Sequence, residues 1–178
     1  MAIPQAKFRE IVFQLLYSYD TGHAQEDDLI QLLMKELAVT KNALRQANLK
    51  VDQVHEFKDE LDKAIASVSQ SYGFERIQSV ERNILRLGAY ELIYDDSIPP
   101  KVAIAEAMRL ARKFGSPESA SFVNAILDNL YKSSLGEPIH SQNIKQRLEE
   151  LEEGDRLSNL GHEIREQESK DNDTSEIS

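Results

Sequence analysis

Apolar residues in this chain recur at the period of an α-helix through most of its length, with almost no strand-type alternation, and this points to an all-α fold. Near the amino terminus Phe8, Ile11, Val12, Leu15, Leu16 and Tyr19 fall at i, i+3, i+4, i+7, i+8 and i+11, one face of a helix expected over about Lys7 to Asp20 and ended by Gly22. A second helix over Glu26 to Leu37 turns Leu29, Leu32, Leu33 and Leu37 inward. A third, over Val51 to Gln70, turns in Val54, Phe57, Leu61, Ile65 and Val68, and the link from Thr40 to Lys50 has room for a short helix of its own.

The second half of the chain is punctuated more sharply. Val80, Ile84, Leu85, Leu87, Gly88, Ala89 and Leu92 make a helix over Ile77 to Tyr94 apolar around much of its circumference, which predicts a central position. Ser97-Ile98-Pro99-Pro100 stops it, because a residue before proline avoids the α region. The next helix runs to Phe114, with Gly115 as its carboxy-terminal cap. Ser116 is expected to cap the last helix, Pro117 and Glu118 to lie in its first turn, and Val123, Ile126, Leu127 and Leu130 to form its buried stripe. The body is therefore expected to hold about six to seven helices, enough apolar burial to fold without metal or cofactor.

Charge divides the chain in two. The net charge is −10, which argues against a polyanionic partner until its distribution is considered. From Glu137 to Ser178 there are 12 acidic and 5 basic residues, leaving 19 acidic and 16 basic in the first 136. Past Leu135-Gly136-Glu137-Pro138 aromatic residues vanish and Glu, Gln, Ser and Asp dominate. Residues 137–178 are thus expected to be a disordered acidic tail with at most a short helix near Ile144 to Glu153, and residues 1–136 a single helical domain.

Several chemistries find no support. No run reaches the roughly 18 apolar residues of a membrane span and Met1-Ala2-Ile3-Pro4 is unlike a signal peptide, so a cytoplasmic location without membrane contact is expected. Cysteine is absent, and His23, His55, His140 and His162 are too scattered for metal ligation. Asp27-Asp28 and Asp95-Asp96 flank helices, where acidic pairs serve as caps more often than as catalysts. No nucleotide-binding or nucleophile motif occurs, so no enzyme is expected.

Three polar stripes are left as binding candidates. Arg9, Phe13 and Tyr17 align beside the apolar face of the first helix, with Lys7 just upstream, an arrangement suited to stacking bases or to burial on a second side. Arg82, Arg86, Tyr90 and Tyr94 form a second line, suited equally to phosphate contact and to pairing with acids of a neighbouring helix. Arg109, Arg112 and Lys113, with Lys101 at the helix start, form a third. Phe122 lies slightly off the apolar line of the last helix, and core burial is its default reading.

Two segments carry a more specific signal. VERNILRLGAYEL at Val80 to Leu92 and IPPKVAIAEAMRLARKFGSPESASFVNAILDNL at Ile98 to Leu130 resemble the NusB family of bacterial transcription antitermination factors, and FREIVFQLLYSYD at Phe8 to Asp20 is similar to its opening helix. The resemblance covers about Lys7 to Tyr131. It implies two packed helical sub-bundles and a non-catalytic RNA-binding adaptor. Such a protein pairs with NusE, a small-subunit ribosomal protein, binds the single-stranded boxA element of ribosomal RNA transcripts, and serves the antitermination complex of RNA polymerase. Carried over by position, the RNA face would include Lys7, Arg9, Lys101 and Phe122, and the NusE face Tyr17 and Glu81. Where family members often begin with an arginine-rich arm, Ala2 to Ala6 here is AIPQA, so a shallow salt dependence of RNA binding is expected. A helical adaptor that binds only protein, and a relative of the NusB-like domain of ribosomal RNA cytosine methyltransferases, are the competing readings. Since no methyl-donor-binding segment follows Ser178, the second would not itself be the enzyme. The sequence leaves monomer and homodimer open.

Overall fold

The computed structural model describes residues 3–22, 26–69, 73–139 and 141–175, and among them only helices and connecting turns occur. The order is α1 (Gln5–Thr21), α2 (Glu26–Leu37), α3 (Lys41–Glu56), α4 (Lys58–Ser69), a short 3-10 turn (Phe74–Arg76), α5 (Ser79–Tyr94), α6 (Pro100–Phe114), α7 (Ser119–Ser134) and α8 (Ser141–Ser175). The all-α expectation is met. Helices α1 to α3 pack as one group and α4 to α7 as another, joined mainly where α1 lies along α5. Gly22 ends α1 in the left-handed region at φ 66°, as a glycine there permits.

Two boundaries differ from the sequence reading. The expected third helix is two: α3 begins ten residues earlier, at Lys41, because the Thr40 hydroxyl accepts a hydrogen bond from the Ala43 amide and caps it. It breaks at Phe57, which leaves helical geometry at φ −99° and ψ 11° and stacks on Tyr94 at 4.2 Å between ring centres. At the start of α7 the cap residue is Glu118, not Ser116. The Ser119 hydroxyl instead accepts the Ser116 amide at 2.8 Å, so the capping interaction comes from inside the helix and reaches backwards. Gly115 is required by space rather than by a left-handed turn, since a Cβ there would come within 2.4 Å of the Ser119 hydroxyl.

Helix α5 is central, as its apolar circumference implies. Ile84, Leu85, Leu87 and Ala89 are buried, and Gly88 lets α6 and α7 approach closely, since a Cβ at that position would meet Leu127 at 2.8 Å and Ala107 at 3.2 Å. Leu33 is buried on α2, whereas Leu32, expected inside, is 54% exposed; the side chain of Leu29 lies outside the described residues.

The acidic tail is the largest departure. In place of disorder or a short solvated helix there is α8, and Ile144, Leu148 and Leu151 on it are no more than 1% exposed within the common core. These three follow at i, i+4 and i+7, one narrow stripe that lies against α7 and α4. Arg76 pairs with Glu152 at 2.7 Å, and the Gln78 side-chain amide donates to Asp155 at 2.7 Å. An average over the tail's composition hides these three well-placed apolar residues.

Candidate functional site

The first turns of α1 and α6 meet at one end of the bundle. Gln5, Phe8 and Arg9 from α1, Ile98, Pro99 and Val102 from the α6 corner, and Lys50 with Asp95 line a shared cleft. Both helices are preceded by proline, neither has a side-chain cap, and neither has an acidic residue in its first turn. Pro100 has no amide hydrogen and the Val102 and Ala103 amides are bonded to the Pro99 carbonyl, so α6 adds little beyond the Lys101 amide and its dipole end to the first-turn amides of α1, which together favour an anion at this end. Lys7 and Lys101 stand in those first turns, Lys101 exposed and Lys7 partly so, and neither has an acidic partner among the described residues. Lys50 differs: it pairs with Asp95 at 2.6 Å and lies over the Tyr90 ring. Hydrogen bonds from Lys50 and Ser97 hold the Asp95 carboxyl below the usual range, so this member of the Asp95-Asp96 pair is a structural anion.

Arg9 does not belong to the exposed set. Its side chain is 8% exposed, and its Nε donates to both carboxylate oxygens of Glu91 at 2.8 and 3.1 Å. A guanidinium so engaged is not offered to a phosphate. Burial pushes the Glu91 carboxyl above its ordinary range, outweighing the pull of Arg9 in the other direction. Two members of the third stripe are similarly occupied: Glu10 of α1 receives Arg109 at 2.6 Å and Lys113 at 2.7 Å. Arg9, Phe13 and Tyr17 turn out to be mostly a second buried side of α1, with Phe13 packed at a tilt against Phe114 and only Tyr17 emerging.

Tyr17 comes out at the opposite end of the bundle. There it shares an apolar groove with Phe13, Leu32, Leu33, Val80 and Phe114, where Tyr17 is 37% exposed. Glu81, one residue past Val80, is 3% exposed and accepts a hydrogen bond from the Ser119 hydroxyl, joining α5 to α7. Burial raises its pKa. Phe122 is 1% exposed, one turn further along α7, and its ring is core in this conformation. The expected RNA set is thus divided: Arg9 lines the cleft but is engaged by Glu91, Lys7 and Lys101 stand in the first turns of the two helices without lining it, and Phe122 is inside the bundle. Of the proposed partner residues, Tyr17 is on the surface and Glu81 under it.

The second stripe resolves into pairing. Arg86 makes a bidentate contact with Asp62 at 2.7 and 2.9 Å and reaches Asp20, while Arg82 donates to Asp20 at 2.7 Å. Tyr90 and Tyr94 pack with Phe57. Sequence reasoning missed Asp20, Asp62, Phe8 and Val102 because their partners are far away in the chain. Burial pushes the Asp20 carboxyl up, but hydrogen bonds from Arg82, Asn83 and Arg86 outweigh it and hold it at about 2, against an ordinary 3.8. A carboxyl whose folded pKa lies below its unfolded one adds stability that is complete above about pH 4 and is lost as pH falls towards 2. Asp20→Asn is expected to lose about 2 kcal/mol at neutral pH and almost nothing near pH 2, read from urea unfolding at both. An equal loss at both would assign the effect to packing instead.

Among the described residues no helix is long and apolar enough to cross a membrane, and no cluster of three or more His, Asp or Glu is placed to hold a metal. His23 and His140 lie outside the described residues.

Comparison with known proteins gives a consistent result. The model of the NusB family matches residues 6–132. The chain is 38% identical over 131 residues to the transcription antitermination protein NusB of Chlamydia pneumoniae, covering 74% of this chain and 82% of that protein. It is 37% identical over 134 residues to NusB of Dehalococcoides mccartyi, covering 75% and 93%. Among solved structures it resembles NusB of T. maritima with TM-score 0.63 and 28% identity over 82% of this chain and 99% of that one. It also resembles a chain from a complex of antitermination factors NusB and NusE with dsRNA, with TM-score 0.62 and 28% identity over 72% and 96%. All of α8 lies beyond the segment matched by the family model.

Proposed function

The chain belongs to the NusB family, and from that premise we propose that it is a transcription antitermination factor that, with a NusE ribosomal protein, binds boxA-type RNA and supports read-through by RNA polymerase. The observation that carries this reading is the family match over α1 to α7, and the cleft between the starts of α1 and α6 supports the RNA part of it. Lys7 and Lys101, in the first turns of the two helices beside it, contact phosphate, and the α1 amides add to the attraction. Arg9 fixes the pose of α1 from below, and Phe122 supports the bundle from within. Tyr17 and the groove around it receive NusE, with Glu81 holding α5 and α7 in register beneath. The body through residue 136 carries these contacts. The protein performs no catalysis, and it works in the cytoplasm where transcripts are made.

The test is binding of a boxA-type RNA and of a scrambled control, with and without NusE, at fixed salt. Sequence-dependent binding that NusE strengthens is expected. With few phosphate contacts, the fall of affinity with salt should be shallow, about 0.7 per neutralised phosphate on logarithmic axes. Lys101→Ala should lower that slope by about one contact's worth and weaken all RNAs to a similar degree. Failure to discriminate boxA under either condition would refute the reading.

A further inference from the structure

Once Ile144, Leu148 and Leu151 have fixed α8 to the body, the helix continues past the start of α5 and presents a second apolar line. Leu157, Leu160 and Ile164 follow at i, i+3 and i+7, and they are 60%, 52% and 47% exposed. Leu160 lies in a shallow groove whose other wall is Gln78, with Glu152, Asp155, Arg156, Asn159 and Glu163 around it. Gln78 immediately precedes α5, and Val80, two residues on, lines the groove of Tyr17, Leu32 and Phe114. Each of the two surfaces is thus bordered by a residue from the start of α5, Gln78 for one and Val80 for the other. The α8 side is strongly charged as well: from Glu152 to Ser175 there are eight acidic residues, against Arg156, Arg165 and Lys170.

We propose that the distal part of α8 is an interaction arm for a protein partner with a basic surface, extending the Tyr17 groove by the line Leu157, Leu160 and Ile164. The inference rests on the functional reading above, which places a ribosomal protein at that groove. Proteins that live against RNA carry basic surface, and a net acidic helix bearing an apolar line complements such a surface in both respects. RNA itself is a poor occupant for the same reason of charge. A second copy of the chain is a poor one too, because two such arms repel each other.

The full chain and a variant carrying Leu157→Ser, Leu160→Ser and Ile164→Ser are compared for affinity to the same organism's NusE protein, by calorimetry at two salt concentrations. All three residues are exposed, so the variant should keep the parent's melting temperature. The arm predicts at least about tenfold weaker NusE binding by the variant. It also predicts that Asp155→Asn with Glu163→Gln will flatten the salt dependence of NusE binding. If the full chain binds NusE and the variant binds equally well, the arm is refuted and the functional reading stands. If the full chain does not bind NusE at all, both fall. Concentration-dependent dimerisation that the variant abolishes would make the second copy the occupant and overturn the proposal.

Discussion

Replacing Arg9 by methionine is expected to destabilise the protein by about 3–5 kcal/mol, although the residue stands in a basic stretch that invites an RNA-binding role. The loss comes from what remains behind. Glu91 is 3% exposed, its two oxygens accept from Arg9 Nε, and Glu106 is the only other carboxylate within 4 Å of the guanidinium among the described residues. Without Arg9 the Glu91 carboxylate is a buried charge whose hydrogen-bond partner has gone, and it must protonate or draw in water. The sign with pH follows: the Glu91 pKa is already raised by burial and would rise further, so the penalty is greatest at alkaline pH and shrinks as acid neutralises the group. The double variant Arg9→Met with Glu91→Met should recover much of the loss, since an apolar pair of similar volume leaves no charge buried. Urea unfolding of the four proteins in the cycle measures the coupling directly. A cost under about 1 kcal/mol for Arg9→Met would show that the pair does not hold α1 to α5. Any fall in RNA binding by an Arg9 variant should be compared with its folded fraction before it is assigned to a lost phosphate contact.

Removing residues 137–178 is expected to lower the melting temperature by at least about 5 °C, and Leu148→Ala in the full chain to cost about 2–5 kcal/mol. Leu148 is 1% exposed between Ile144 and Leu151, with α7 beneath, and truncation at alanine leaves a cavity that the helix cannot close without moving both neighbours. Three such side chains contribute about 4–9 kcal/mol of burial, from which the ordering of α8 subtracts a share. The comparison variant is Leu157→Ala, 60% exposed on the same helix, which should be near neutral. Unchanged melting of the truncated chain would mean that α8 is not docked in solution.

The helix pattern was readable because each apolar face was written locally. The Leu15-Leu16 stripe, the Gly22 stop, the Pro99-Pro100 corner and the apolar girth of α5 need only a few turns of chain to declare themselves. The family signal at Val80 to Leu130 was readable for the same reason, being a continuous run. The site was less so. Sequence grouped Lys7, Arg9 and Lys101 on one face, but it could not say that Arg9, two residues from Lys7, is turned onto Glu91, which is 82 residues away. It left Arg82 and Arg86 open between phosphate and acid partners, and the answer lay in Asp20 and Asp62, on other helices.

The sequence by itself determined that this is an all-α chain with a central α5, a proline corner before α6 and the features of the NusB family. Periodicity and chain-breaking residues act within a few turns, so the information is complete where it is written. Only the tertiary structure decided which charges are paired and therefore buried, that Phe122 and Glu81 lie inside, and that the acidic tail becomes a docked helix. A charge's partner, like the partner of the stripe Ile144, Leu148 and Leu151, is supplied by a distant segment brought near by packing. Whether a side chain meets water, RNA or an opposite charge is fixed by that packing and not by its neighbours in the chain.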